Sequence, residues 1–339
     1  MKRYLEALLA GQRFNRLEAG EILRTALDFE TRPEQVAAFF FALHIRGETV
    51  AELGGFLDVL RAEALVMTGG AVVEPVVDNC GTGGDNAGTF NLSTGAALIA
   101  AAAGAYVAKH GNRALSSRSG SADVLEALGI PTCLGPREAS SALIHHGFAF
   151  LFAPIYHPAL SRLAPIRKAL GVRTALNAVG PLASPARVKR QVVGVYRPAL
   201  LEPFAELLRE AGHEEAMILH SDDGMDEISI ASATRILHLK NGRITSLRVE
   251  PETFGLPRGE SHSLAGGDAT ENARLLLAIF HNEDRGPRLS ALLANASALL
   301  VVAGKARTFR EGAELAREAV ESGAALRLIT DLRAREEVA

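Results

Sequence analysis

From Met1 to about Gly69 the apolar positions recur at helical spacing, with Val36, Phe39, Phe40 and Leu43 on one stripe and Leu53, Leu57 and Leu60 on the next. This spacing predicts several short helices. Thr31 with Glu34, and Thr49 with Glu52, carry the signature in which a hydroxyl at a helix start and an acid three residues on satisfy free backbone N–H groups reciprocally. Pro33 sits in a first turn, where its missing N–H costs nothing. At Thr68-Gly69-Gly70 the pattern changes: VVEPVVDN is short, β-branched and runs into glycines, as a buried strand entering a loop does. Downstream, strand-like runs (AYVAKH, AFLFAP, RQVVGVY, EAMILH, ITSLRVE) alternate with helix-like ones (GAALIAAAA, SADVLEALG, LLEPFAELLREAG, TENARLLLAIF). That alternation predicts the α/β class: a small helical N-terminal domain, residues 1–70, and a larger α/β domain, residues 71–339, whose central, mostly parallel sheet is flanked by helices. The stretch from Leu170 to Ala186 is too apolar for a floppy linker and predicts an extended crossing segment, so part of 170–187 is expected to join the helical domain. From about Pro287 the pattern is helical again, with no repeat or low-complexity tract.

Composition narrows the function. The 36 Lys and Arg against 39 Asp and Glu leave a net charge of −3, which argues against a nucleic-acid coat. The longest uncharged, mostly apolar stretch, Gly95 to Ala108, is too short and too rich in glycine and alanine for a membrane span. Two cysteines make no disulfide framework, and the start of the chain does not read as a signal peptide, so a cytoplasmic protein is expected.

Three segments carry candidate chemistry. In DNCGTGGDNAGTFNLSTGAALIAAAA, Asp78 to Ala103, a strand enters a glycine turn and then an alanine-rich helix. Gly81, Gly83 and Gly84 let backbone N–H groups approach a ligand, and Asn91, Ser93 and Thr94 lie where the helix dipole favours negative charge. The pattern matches neither GxGxxG nor GxxxxGK[ST], so a phosphate or diphosphate is implied without a Rossmann or Walker template. KHGNRALSSRSGSADVLEALG then supplies Lys109, His110, Asn112, Arg113, Ser116, Ser117, Arg118, Ser119 and Ser121, a density of cations and hydroxyls suited to a polyanionic sugar phosphate. HSDDGMDEISI places Asp222, Asp223, Asp226 and Glu227 around one glycine. Adjacent carboxylates are hard ligands of the kind Mg²⁺ combines with phosphate oxygens, and Asp226-Glu227, nearer the next strand, is the pair favoured here.

GTGGD, NxST, KHGNR with SGSAD, APxxHPA followed by IRKxLGxRT and NxxGPL, and the GMDE turn together resemble the anthranilate phosphoribosyltransferase family of tryptophan biosynthesis. The resemblance runs from the first helices to the last. It implies transfer of the 5-phosphoribosyl group from phosphoribosyl diphosphate (PRPP) to the amine of anthranilate, with two Mg²⁺ ions, on a homodimer. Carried over by position, it puts Gly81, Gly84, Asp85, Thr89, Asn91, Leu92, Ser93, Thr94, Lys109, His110, Gly111, Asn112, Arg113, Ala114, Leu115, Ser116, Ser117 and Ser121 on PRPP. It puts Gly81, Asn112 and Arg167 on anthranilate, where a planar guanidinium suits a carboxylate, and Ser93, Asp226 and Glu227 on the metal. Lys109 and His110 are the catalytic candidates, and His110 and the YHPAL segment around His157 are expected to line the acceptor channel.

Breaking a C1–diphosphate bond needs no protein nucleophile, and an aromatic amine is largely neutral at pH 7, so electrostatic stabilisation and positioning are expected to dominate. Two rivals stand beside this reading: a pyrimidine nucleoside phosphorylase, disfavoured by the acid pair, and a non-catalytic nucleic-acid-binding relative, disfavoured by the net charge. Departures from the family pattern fall at Ser184, where the family commonly has asparagine, and in HNEDRGPRLSALL. NLS at Asn91 and NAS at Asn295 fit the glycosylation pattern, but no glycan is expected.

Overall fold

A computed structural model describes residues 1–67, 75–85, 87–114 and 118–334. In chain order it contains α1 (Lys2–Leu9), α2 (Arg16–Leu27), α3 (Pro33–Arg46), α4 (Val50–Ala62), β1 (Val76–Asn79), α5 (Leu92–Ala102), β2 (Tyr106–Gly111), α6 (Ser121–Ala127), α7 (Pro136–His146) and β3 (Phe148–Phe152). Then follow α8 (Ala153–Tyr156), α9 (Ala164–Leu170), α10 (Ala175–Val179), β4 (Arg190–Gly194), α11 (Leu201–Glu210), β5 (Glu215–Ser221), β6 (Thr234–Lys240), β7 (Arg243–Val249), α12 (Ala269–Phe280), α13 (Pro287–Val302), α14 (Phe309–Glu321) and α15 (Ala324–Arg333). The chain forms two compact units, Met1–Val66 with Ala153–Arg187, and Met67–Phe152 with Val188–Ala339. The expected boundary at residues 68–70 lies outside the described residues. Among the described residues no helix is long and apolar enough to cross a membrane.

In the first unit Phe14, Phe39, Phe40 and Phe56 form a buried aromatic core, with Phe40 centred 5.6 Å from Phe39 and 5.7 Å from Phe56. The Thr49–Glu52 capping box is present: Glu52 N–H donates to Thr49 Oγ1 at 3.2 Å and Thr49 N–H to Glu52 Oε2 at 2.9 Å. Burial pushes the Glu52 carboxyl up, but Arg46 and the N–H groups of Phe14 and Thr49 outweigh it and hold the group below its ordinary value. The Thr31–Glu34 box is not formed. With Pro33 as first helical residue the N-cap is Arg32, and Thr31 Oγ1 donates to Thr25 O at 2.6 Å instead. The 170–186 segment is not extended either. Gly171, at φ +63°, ends α9, and Thr174 with Asn177 starts α10, so the stretch is two short helical pieces and a turn.

The second unit is one seven-stranded sheet in the order β3-β2-β1-β4-β5-β6-β7. The first five strands are parallel, and β6 and β7 close the edge antiparallel. From β1 the chain builds outward through β2 and β3, then returns to β1's other side as β4. The carboxyl ends of β1 and β4 therefore form a topological switch point, where open α/β sheets bind ligands. Behind it α5 is buried along nearly its whole length against α13. Its small residues permit that approach: a Cβ on Gly95 would lie 2.6 Å from Leu276 Cδ2 and 2.7 Å from Leu292 Cδ2.

Candidate active site

β1 delivers Asp78 and Asn79 into the Cys80–Asp85 loop. Gly83 and Gly84, at φ +63° and +70°, turn the backbone through the left-handed region that glycine tolerates best. Three bonds pin the loop across the switch point: Thr82 N–H donates to Gly194 O at 2.9 Å, Tyr196 N–H to Thr82 Oγ1 at 3.0 Å, and Gly83 N–H to Asp226 Oδ2 at 2.7 Å. Asp85 Oδ2 accepts the Asp226 N–H at 3.3 Å. Farther on, Thr89 bridges Ala265, and Phe90 and Gly266 donate to Leu264 O and Gly88 O. Asn91 precedes α5, and its Oδ1 accepts from Ser119 Oγ at 3.1 Å and from Asn272 Nδ2 at 2.9 Å, which fixes the orientation of its amide.

Lys109 and His110 are neighbours on β2, so their side chains leave opposite faces of the sheet. Lys109 is 1% exposed, and its Nζ donates to Asn79 O at 2.7 Å, Asn79 Oδ1 at 3.2 Å and Ser93 Oγ at 3.4 Å. His110 is buried, its backbone N–H donating to Asp78 Oδ1 at 3.0 Å. Asn112, Arg113 and Ala114 then fold onto the start of α6. Asp123 Oδ2 accepts the N–H groups of Ala114 and Gly120 at 2.9 and 2.8 Å, and a Cβ on Gly120 would fall 2.4 Å from Ala114 N. Arg113 is ion-paired with Asp123 and Glu126, so a ligand would compete with two acids for it. Leu115, Ser116 and Ser117 lie outside the described residues.

The acidic turn after β5 divides its four carboxylates by role. Asp222 pairs with Arg248, and Asp223 Oδ2 accepts from Ser229 Oγ at 2.6 Å and Ser261 Oγ at 3.2 Å. Asp226 and Glu227 line a pocket shared with Asn79, Gly81, Ser93, Gly194 and Asn295. A Cβ on Gly194 would stand 1.7 Å from Asp226 O, so only glycine lets β4 touch this turn. Burial, with Asp226 and Asp85 adding to it, pushes the Glu227 carboxyl up to about 8 against the opposing pull of Lys109 and the Ser93 N–H. Burial and Asp78 likewise push the Cys80 thiol up to about 12, which makes it a poor nucleophile.

Ser93, Asp226 and Glu227 thus meet at one pocket. Among the described residues no group of three or more His, Cys, Asp or Glu side chains surrounds a metal position. Two carboxylates and a hydroxyl are instead the partial oxygen set that suits Mg²⁺ shared with phosphate and water, and the like charge of Asp226 beside it raises the Glu227 carboxyl. The residues fit such an ion.

The first unit carries Arg167 in α9. Burial lowers its proton affinity below the ordinary arginine value, its Nε is shut off from solvent, and among the described residues no acceptor reaches that nitrogen. His157 is 3% exposed, and burial pushes its imidazole down against the opposing pull of hydrogen bonds with the backbone of Ala183 and Leu60.

Of the expected PRPP residues, Gly81, Gly84, Asp85, Asn91, Ser93 and Lys109 belong to the loop and pocket just described. Gly111 and Ser121 pack together, a Cβ on Gly111 falling 3.2 Å from Ser121 Cβ. The side chains of Leu92 and Thr94 are buried. Sequence reasoning missed Asn79, Gly194 and Asn272, and took Asn295 only as part of a glycosylation triplet.

Comparison with known proteins agrees with this two-part architecture. A model described as the glycosyl transferase family, helical bundle domain, matches residues 2–64, and one described as the glycosyl transferase family, a/b domain, matches residues 73–326. The fold and pocket therefore define a two-part glycosyl transferase. The anthranilate phosphoribosyltransferase of Thermomicrobium roseum is 46% identical over 325 residues, 95% of this chain and 93% of that one. That of Symbiobacterium thermophilum is 43% identical over 333 residues, 98% and 97% of the two chains. A crystal structure of the Thermus thermophilus enzyme superposes with a TM-score of 0.90 at 39% identity, covering 98% of each chain. The Saccharomyces cerevisiae enzyme in complex with PRPP and Mg superposes at 0.89 and 26% identity, covering 98% of this chain and 97% of that one. The chain belongs to the anthranilate phosphoribosyltransferase family.

Proposed function

We propose that the chain transfers the 5-phosphoribosyl group from PRPP to the amine of anthranilate, giving N-(5-phosphoribosyl)anthranilate and diphosphate in tryptophan biosynthesis. The observation that carries this is the pocket where Ser93, Asp226 and Glu227 meet beneath the glycine loop, with the Lys109 ammonium beside Ser93. The loop N–H groups, the α5 N-terminus and Lys109 bind the diphosphate and hold its growing charge as the C1–oxygen bond breaks. Ser93, Asp226 and Glu227 hold Mg²⁺, two ions in this reading, which supplies further charge neutralisation on the leaving group. Arg167 takes the anthranilate carboxylate: a desolvated guanidinium with no acid partner among the described residues suits such a group. Held in line, the amine attacks C1, and its proton leaves to solvent without a dedicated base.

Mixing the protein with anthranilate, PRPP and Mg²⁺ should give loss of anthranilate fluorescence that stops when any component is omitted. Silence there with phosphate-dependent cleavage of uridine would move the assignment to a phosphorylase, and tight single-stranded DNA binding without turnover to a binding relative. In the same assay Arg167→Ala should raise the KM for anthranilate at least about tenfold, the cost of a charge-assisted pair, and that for PRPP by less than about twofold. Equal effects on both would remove Arg167 from the anthranilate site.

The protein is further read as a cytoplasmic homodimer. Both cysteines are free, as a reducing compartment keeps them, and Leu9, Leu17, Phe41 and Ile45 stand exposed on α1, α2 and α3, Phe41 and Ile45 one turn apart. Sedimentation should give twice the 35.9 kDa of the chain, and Phe41→Lys with Ile45→Glu should return the monomer mass.

A further inference from the structure

Asn295 is 5% exposed near the middle of α13, where a side-chain amide is costly unless its groups are bonded. Its Oδ1 accepts the Ile228 N–H at 2.9 Å, and its Nδ2 donates to Ile228 O at 3.1 Å and to Ala291 O at 2.9 Å. The amide therefore pairs with both peptide groups of one residue, as a neighbouring strand would. Both Nδ2 hydrogens are committed, so it has one orientation. The residue it grips directly follows Glu227. On the preceding carbonyl Ser221 Oγ donates to Glu227 O at 2.5 Å, and Gly194 closes against Asp226 O. The acid pair is thus held by β4, by Ser221 at the end of β5 and by α13, and Asn295 is the contribution of α13, lining the same pocket as Ser93, Asp226 and Glu227.

We propose that Asn295 is a positioning residue for the divalent-ion site: it fixes the peptide after Glu227, and through it the aim of the two carboxylates. The assignment rests on the reading of Asp226 and Glu227 as metal ligands. It differs from a purely structural role, for which α13 supplies its own comparison. Ser297, two residues along and fully buried, donates to Phe309 O at 2.6 Å, at the start of α14, which is no part of the pocket.

The test measures binding of Mn²⁺ as a paramagnetic probe by electron spin resonance, with PRPP present and anthranilate omitted, beside melting temperature and the KM for anthranilate. Partners that orient metal ligands are worth about 10–100-fold in metal affinity, so Asn295→Ala should weaken Mn²⁺ binding by that factor and Asn295→Ser by less, with the anthranilate KM within about twofold. Ser297→Ala should melt earlier and bind Mn²⁺ as the unaltered protein does. If the Asn295 variants lose only melting temperature, as Ser297→Ala does, the proposal is overturned; should Asn295→Ala not fold, Asn295→Ser decides by the same criterion. Mn²⁺ binding that persists unchanged in Asp226→Asn would overturn the ligand assignment itself, and this proposal with it.

Discussion

Lys109→Met should lower kcat/KM by about 10²–10³-fold, or about 2.7–4 kcal/mol of transition-state stabilisation, while the protein remains folded. The magnitude follows from where the charge sits. The ammonium is almost wholly out of water, and the acceptors that reach it, Asn79 O, Asn79 Oδ1 and Ser93 Oγ, are all neutral. Its field reaches the Glu227 carboxyl and the Cys80 thiol and favours the anionic form of each. A cation held by neutral oxygens in a low-dielectric pocket acts strongly on an anion that forms beside it. Methionine fills similar volume without charge, so the cost in stability is confined to acceptors left at Asn79, about 1–3 kcal/mol, partly offset by no longer burying a charge. Steady-state kinetics with PRPP varied, beside thermal melting, separate the two effects. Near-normal kcat/KM would show that the ammonium braces Asn79 and Ser93 and does no more.

The local parts of the site were legible because their chemistry is local. The glycines, the Asn91–Thr94 helix start and the acidic turn are each encoded within about a dozen residues, and the choice of Asp226-Glu227 over Asp222-Asp223 agrees with the outward contacts of the latter pair to Arg248, Ser229 and Ser261. What escaped is what depends on distant partners. Asn272 meets Asn91 across 181 positions and Asn295 meets Ile228 across 67, and nothing near either asparagine announces the match. β6 was missed because Arg235, His238 and Lys240 break up the apolar residues of TRILHLK, yet it is buried on much of its length between β5 and β7. The misplaced cap at Thr31 has a simpler origin: Pro33, whose fixed φ suits the first helical position, makes Arg32 the N-cap and leaves Thr31 outside the helix. For α10 the Thr174–Asn177 cap was present in the sequence but obscured by the prolines that follow, which read as extended chain.

The acid pair carries the second large effect, and it couples function to stability in opposite directions. Asp226→Asn with Glu227→Gln should cut turnover by about 10³-fold or more and abolish its dependence on Mg²⁺, because the pocket loses both hard anionic ligands at once. Metal-free protein should behave in the opposite sense. The Glu227 carboxyl is pushed up to about 8 by burial and by Asp226, so between its ordinary value of 4.5 and 8 the folded state holds a proton that the unfolded chain has released. The resulting stability is full below about 4.5 and is lost as pH rises through 8, a change on the order of a few kcal/mol. Glu227→Gln alone removes that ionisation. In chelator-treated samples the unaltered protein should therefore melt at falling temperature from pH 5 to 8, and the Glu227→Gln variant should show a flatter profile and an equal or higher melting temperature at pH 8. Adding Mg²⁺ with PRPP should raise the melting temperature of the unaltered protein and leave that of the double variant where it was. A pair kept only for structure would lose stability on neutralisation and leave the response to Mg²⁺ intact. A pair strained for lack of a cation should gain stability and lose that response, as sites that hold like charges close together do.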